Sequence, residues 1–372
     1  MIPYGRQNIS DDDIKAVIEV LKSDFITQGP AVAKFENDLK NYVGAAHGVA
    51  VNSATSALHI ACLALGVGKG DVVWTSPNSF VASANCALYC GAKVDFVDID
   101  PNTYNMSPDA LEEKLKTGIV PKVVIPVHFA GQSCEMEKIR ELGHKYGFKI
   151  IEDASHAIGG SYKDSKIGSC EFSDICVFSF HPVKIITTAE GGMAVTNDDE
   201  LARKMQSLRS HGITRDGMKE PWEYEQRELG FNYRITDIQA ALGASQLTRL
   251  DEFIERRHAI AARYDAELGD LEMATPFQHP DTRSAYHLYP IVLDEAKRRG
   301  EVFKKLREVG IGVNVHYIPI HTQPYYKALG FKKGDFPESE EYYKAAISIP
   351  MYYDLDEEKQ GIVIAALREA LS

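Results

Sequence analysis

The sequence predicts an α/β protein: a seven-stranded, mostly parallel sheet in a large domain, followed by a smaller α+β C-terminal domain. Three observations carry this. Short β-branched runs alternate with helix-length segments over the first two hundred residues, the pattern of parallel strands joined by crossover helices. The runs are continuously apolar rather than alternating, as strands covered on both faces must be. The chain has 372 residues, 44% apolar and 25% charged, which suits about two globular domains with a core that needs no covalent staples.

The elements follow in order. Ser10 before Asp11, Asp12 and Asp13 is a helix start, and Ile14, Val17, Ile18 and Leu21 then keep to one helical face. Strands are expected at 49–51, 72–74, 94–97, 123–127, 150–151, 175–178 and 193–196. Helices are expected between them at 55–65, 79–89, 107–115 and 135–146. Thr236 and Gln239 form a capping-box pattern that opens one long helical stretch to residue 267. Strands at 287–293 and 312–317 and helices at 295–308 and 356–371 complete the chain. The domains are therefore placed at 10–250 and 251–372, with residues 1–9 joining them.

Composition narrows the function. Fifty-three acidic against 41 basic residues give a formal charge of −12, and no lysine/arginine stripe exists to coat a nucleic acid. One local anionic ligand remains compatible. The uncharged stretches 41–68 and 72–92 are broken by Asn, Ser, Thr, Pro and Gly, so each divides into a strand and a helix rather than a membrane span. The N-terminal MIPYGRQNISDDDI carries no basic or apolar leader pattern. Six cysteines without CxxC spacing read as reduced thiols, and a cytoplasmic setting is expected.

Ligands of open parallel sheets bind beyond the carboxyl ends of the strands. After 49–51 comes Asn52-Ser53-Ala54-Thr55-Ser56 at a helix start, where free N–H groups and the helix dipole suit an anion such as phosphate. Ordinary capping by serine explains the same residues. After 150–151 comes Glu152-Asp153-Ala154-Ser155-His156, which suits a metal site, an acid–base pair, a cofactor clamp or a plain polar strand end. After 175–178 come Ser179 and then Lys184, with no charged neighbour within four residues on either side. A desolvated lysine loses its proton more readily, and the neutral amine can form a Schiff base. Lysine, carboxylate and phosphate cup together match pyridoxal phosphate, and Phe80, after the second strand, offers an aromatic face.

Several motifs, in order, resemble the DegT/DnrJ/EryC1/StrS family of nucleotide-sugar aminotransferases, within fold type I of the pyridoxal-phosphate enzymes. They are TQGP at 27–30, NSATSAL at 52–58, EDASHAIGG at 152–160, SFHPVKIITTAEGG at 179–192, GFNYR at 230–234 and VHYIPIH at 315–321. The resemblance makes Lys184 the Schiff-base lysine and Asp153 the partner of the pyridinium nitrogen. It puts His156 beside the cofactor's 3-hydroxyl, Ala54, Thr55 and Ser179 on the phosphate, and Phe80 over the ring. Asn232 is implied to reach the cofactor of a neighbouring subunit, hence a homodimer with shared active sites. Tyr4, Asp24, Phe25, Ile26, Thr27, Ser53, His316 and Tyr317 match segments lining the sugar-nucleotide pocket. TSPNSFVASANCALYCGA at 75–92 and RSHG at 209–212 resemble the branch serving pseudaminic acid synthesis. That implies a UDP-linked 4-keto-6-deoxy-2-acetamido sugar as acceptor and L-glutamate as donor; a sister enzyme for another dTDP-, UDP- or GDP-keto-sugar is the alternative.

Rival readings are weaker. Tyr162 and Lys166 have the YxxxK spacing of short-chain dehydrogenases, but turn residues surround them and no GxGxxG follows the first strand. A catalytically silent binding protein would lack the lysine. His316 and His321 have no carboxylate beside them in sequence, so no metal is expected.

Overall fold

A computed structural model describes residues 1–372. Its main sheet has seven strands: β1 (His47–Val51), β2 (Val72–Thr75), β3 (Lys93–Phe96), β4 (Val123–Ile125), β5 (Lys149–Asp153), β8 (Ile175–Ser179) and β9 (Gly192–Thr196). Between β5 and β8 lie the two short strands β6 (Ser161–Tyr162) and β7 (Ser165–Lys166). The spatial order is β1-β9-β8-β5-β4-β2-β3. β3, β2, β4, β5 and β8 pair in parallel, whereas β9 runs antiparallel to both β8 and β1. The sheet is mostly parallel, as the continuous apolar runs require.

Helices cover both faces. α1 (Asp11–Leu21) starts with a capping box between Ser10 and Asp13, and α2 (Pro30–Val43) enters on Pro30 and stops at left-handed Gly44. α3 (Ala54–Ala64), α4 (Ala82–Tyr89), α5 (Pro108–Leu115), α6 (Met136–Tyr146) and α7 (Asp199–Arg209) follow. One face packs Val49, Val51 and Val177 against α3 and α4. The other packs Ala50, Phe178 and Met193 against Phe35, Leu39 and Val43 of α2. Trp74 and Ile150 meet α5 and α6 through Leu111, Leu115 and Ile139.

The expected single helix over 236–267 is two: α8 (Asp237–Leu247) and α9 (Leu250–Leu268). No Gly or Pro marks the break. It is fixed by tertiary contacts, with Arg249 donating to Asp13 at 2.6 Å and to Asn8 at 2.6 Å, and Leu250 turned into the core. Between β9 and α8 lies the hairpin β10 (Ile213–Thr214) and β11 (Glu225–Gln226). Beyond α9 come β12 (Met273–Ala274), β13 (Thr282–Arg283) and β14 (Tyr289–Leu293), then α10 (Arg299–Glu308), α11 (Pro324–Ala328), α12 (Pro337–Ala345), β15 (Ala346–Ile349) and α13 (Glu357–Leu371).

Other expectations also shift. The strand over 312–317 is not formed: Ile311 and Asn314 make only isolated bridges, to Ile2 and Ser348. The following residues leave the sheet to line a cavity. The helix over 79–89 begins only at Ala82. α2, α7, α12 and β15 are elements the sequence reading did not assign, although Pro30 at an N-terminus and Asp198 as an N-cap were available signals. No helix is long and apolar enough to cross a membrane.

Arg257 of α9 is buried, and its Nη1 donates to the carbonyls of Tyr286 at 2.9 Å, Met351 at 3.2 Å and His287 at 3.3 Å. Arg257→Leu leaves those carbonyls without their donor and is expected to destabilise the fold by roughly 3 kcal/mol in urea unfolding. A change no larger than that of an exposed substitution would contradict this account.

Candidate active site

A cavity of about 580 Å³ opens at the carboxyl ends of β1, β2, β5 and β8. Its walls come from these four strand ends and from a C-terminal segment. Ser53 ends the loop after β1 and caps α3, its Oγ accepting from the Ser56 N–H at 3.1 Å. The Ala54 and Thr55 N–H groups stand at the first two helical positions, before any intrahelical donor. They line the cavity, where open N–H groups of a helix start can cradle an anion. Gly192, the first residue of β9, allows this approach: a Cβ there would lie 2.4 Å from the Ala54 nitrogen and 2.5 Å from the Ser53 carbonyl carbon. Gly192→Ala must force strand and helix apart, and such overpacking typically costs about 1–3 kcal/mol. We expect it to weaken phosphate-ester binding, measured by equilibrium titration. Unchanged binding would show that the cradle is not used.

Asp153, buried at the end of β5, accepts from Ser83 Oγ at 2.7 Å and from the Ser155 N–H at 3.1 Å. Ser83 is in turn 2.8 Å from Ser79. Ser179 ends β8, and the chain then loops through Lys184 back to β9. Thr187 Oγ1 and the Thr188 N–H both donate to the Phe180 carbonyl, and the Phe180 N–H donates to Gly191, so the loop is closed on itself. Burial lowers the Lys184 amine to about 8, with the negative charge of Asp153 opposing the shift. Three imidazoles flank the same floor. His156 and His287 are held neutral by burial and by the Lys184 charge, and the same causes bring His316 down to about 3. Tyr317 OH and His156 Nε2 are 3.1 Å apart, and the Tyr317 N–H donates to Asn78 Oδ1 at 3.3 Å. Phe80 is 59% exposed over the opening, its ring 6.5 Å from that of Tyr317. Tyr4 packs on His316 at 5.5 Å.

The cavity therefore gathers Tyr4, Ser53, Ala54, Thr55, Phe80 and Asp153, together with His156, Ser179, Lys184, His316 and Tyr317. It does not include Asn232 or the segment Asp24, Phe25, Ile26 and Thr27. Asn232 is exposed and bridges Ser210. The 24–27 segment is exposed beside α8, with Thr27 bridging Thr236 and the Ile26 carbonyl accepting from the Asp237 N–H at 3.1 Å. Sequence reasoning missed Ser83, Ser155, His181, Glu190, His287 and Asn314, all of which line the cavity. Ser83 was findable, one helical turn after Ser79; His287 had no local signal.

The decoys fall elsewhere. Tyr162 and Lys166 sit on the β6–β7 hairpin rather than a helix. His321 pairs with buried Glu340 at 2.9 Å, outside the cavity. No group of three or more His, Cys, Asp or Glu side chains is arranged to hold a metal.

The donor set fits pyridoxal phosphate: a buried amine of lowered basicity, a buried carboxylate opposite in charge, an open helix N-terminus and an aromatic lid residue. Similarity agrees. Residues 7–368 match the DegT/DnrJ/EryC1/StrS aminotransferase family. The chain is 42% identical to the UDP-4-amino-4,6-dideoxy-N-acetyl-beta-L-altrosamine transaminase of Campylobacter jejuni, covering 96% of this chain and 94% of that protein. It is 41% identical to the spore coat polysaccharide biosynthesis protein SpsC of Bacillus subtilis, covering 99% and 96%. Among solved structures it is similar to Helicobacter pylori PseC, an aminotransferase involved in the biosynthesis of pseudoaminic acid. That match has a TM-score of 0.93 and 34% identity, over 100% of this chain and 99% of that one. The chain belongs to the DegT/DnrJ/EryC1/StrS aminotransferase family and is a pyridoxal-phosphate-dependent sugar aminotransferase.

Proposed function

We propose that the enzyme transfers the amino group of L-glutamate to C4 of a UDP-linked 4-keto-6-deoxy-2-acetamido sugar, in pseudaminic acid synthesis. The observation that carries the chemistry is Lys184, whose amine is brought down to about 8, set against the buried Asp153 in one cavity. When bound, pyridoxal phosphate supplies the electron sink for the Cα–H bond of the donor. Lys184 would hold the cofactor through its amine, and the same amine is the group placed to give and take a proton in the transfer. Asp153 keeps a proton on the ring nitrogen by its opposite charge, oriented by Ser83 and the Ser155 N–H. The N–H groups of Ala54 and Thr55, with Ser179, hold the phosphate. The Tyr317 and His156 pair would contact the cofactor's 3-hydroxyl, and Phe80 would pack on its ring.

For the sugar, support comes from the 42% identity to the Campylobacter transaminase over nearly the whole chain. Tyr4, Ser53, His316 and Tyr317 serve the substrate from this subunit. Asn232 and Asp24–Thr27 act from a second copy, in a cytoplasmic homodimer with shared active sites. The exposed apolar residues Ile14, Ile18, Leu21, Phe25 and Ile26 support such a partner. The two-domain division at residue 250, joined through residues 1–9, belongs to the same proposal. The alternative is a sister aminotransferase for another dTDP-, UDP- or GDP-keto-sugar.

Incubation with glutamate and a panel of keto-sugar nucleotides tests the choice. Amination of the UDP-linked 4-keto-6-deoxy-2-acetamido sugar in preference to the others is expected. Strong preference for a dTDP-keto-sugar would overturn the substrate and leave the aminotransferase standing.

A further inference from the structure

Three of the six cysteines meet in one place outside the cavity. Cys62 lies on α3, Cys86 lies on α4, and Cys90 caps the end of α4 one turn later, so all three face the seam where the two helices pack. The Cys62 thiol is within hydrogen-bond reach of both other sulfurs. His59, one turn before Cys62, hydrogen-bonds Cys90 as well. Its ring is held by Tyr233, whose hydroxyl is 3.1 Å from Nδ1, and by Phe231, with 4.8 Å between ring centres. These groups are not arranged to hold a metal.

The three sulfurs are not equivalent. Cys62 and Cys86 are fully buried, whereas Cys90 is half-buried and reaches solvent. Cys86 donates to the Ser83 carbonyl at 3.3 Å. Cys134 and Cys170 are parked in the same way, on the Val127 carbonyl at 3.2 Å and the Val195 carbonyl at 3.3 Å. A buried thiol of that kind packs as a small apolar group and is inert. Cys90 differs. Hydrogen bonds from Cys62 and then His59 bring its thiol down to about 6 against the opposing effect of burial, while its neighbours and burial push Cys62 up. The thiolate is the reactive form of cysteine, and a solvent-reaching thiolate beside a second thiol is the arrangement of a redox-sensing pair. Packing accounts for Cys62 and Cys86, but it does not call for a histidine bonded to a sulfur that reaches solvent.

We propose that Cys90 is a site of oxidation by hydroperoxides, and that Cys62 captures the oxidised sulfur in an intrachain disulfide joining α3 to α4. In the first step the Cys90 thiolate attacks the terminal peroxide oxygen. A sulfur–oxygen bond forms, the O–O bond breaks, and the departing oxygen takes a proton from water and leaves as water or an alcohol. Cys90 is then a sulfenic acid, having lost the electron pair that the peroxide gained. In the second step the Cys62 sulfur displaces that oxygen. The S–S bond forms, the S–O bond breaks, and the hydroxyl leaves as water with the Cys62 proton.

The test uses the full chain, reduced and then treated with hydrogen peroxide under native conditions, with free thiols blocked by N-ethylmaleimide before digestion and mass spectrometry. A peptide pair joined through Cys62 and Cys90, lost on addition of dithiothreitol, is expected. In Cys62→Ser, Cys90 should instead take a dimedone label, because its sulfenic acid persists without a partner thiol. Cys90→Ser should lose both the cross-link and the label. A parent chain with no product at Cys90, a pairing of Cys62 with Cys86 in its place, or a cross-link that forms only in urea would overturn the proposal.

Discussion

Lys184→Ala is expected to lose turnover by about a thousandfold or more, the scale of a positioned acid–base group, while keeping the fold. The loop that carries Lys184 is closed by Thr187, Thr188, Phe180 and Gly191, none of which uses the lysine side chain. Loss of the buried amine also removes the charge that helps keep His156, His287 and His316 neutral. The check is a glutamate-dependent transamination assay beside a urea unfolding curve. The pH dependence has a definite sign. An amine at about 8 is protonated and unreactive below that value and neutral above it. Uptake of pyridoxal phosphate by the apo-chain should therefore rise with pH through about 8 and then level off. Parent-like transamination by the alanine variant would remove Lys184 from the mechanism.

Asp153→Asn should preserve shape, since an amide can still meet Ser83 Oγ and the Ser155 N–H. What it removes is the negative charge. Loss of one preorganised electrostatic contact of this kind costs about 10²–10³ in kcat, and that is the expected fall. A second consequence separates charge from shape. Asp153 opposes the burial that lowers Lys184, so its neutralisation should move the cofactor-uptake profile to lower pH. An asparagine variant with parental kcat and an unmoved profile would show that Asp153 is only a strand terminus.

Much of this site is legible residue by residue because it sits at strand ends. Ser53 and Asp153 stand two residues after a continuous apolar run, Ser179 directly after one, and Lys184 follows in a stretch free of charge. Those are local patterns, and parallel-sheet geometry converts them into one place. The capping boxes of α1 and α8 were likewise readable, since a serine or threonine and its partner lie three residues apart. The break between α8 and α9 was not, because it depends on Arg249 finding Asp13 and Asn8 more than two hundred residues away.

The sequence by itself determined the fold class, the family and the row of polar residues at the ends of β1, β5 and β8. Each follows from spacing within a short window, where covalent connection already limits the geometry. Only the tertiary structure decided which other side chains complete the cavity. Ser83 reaches Asp153 across two strands, and His287 reaches His156 because Arg257 and Gly131 let a distant segment pack against the sheet. It also decided the basicity of Lys184. Desolvation depends on every group that closes over an amine, and no local stretch of sequence contains them all.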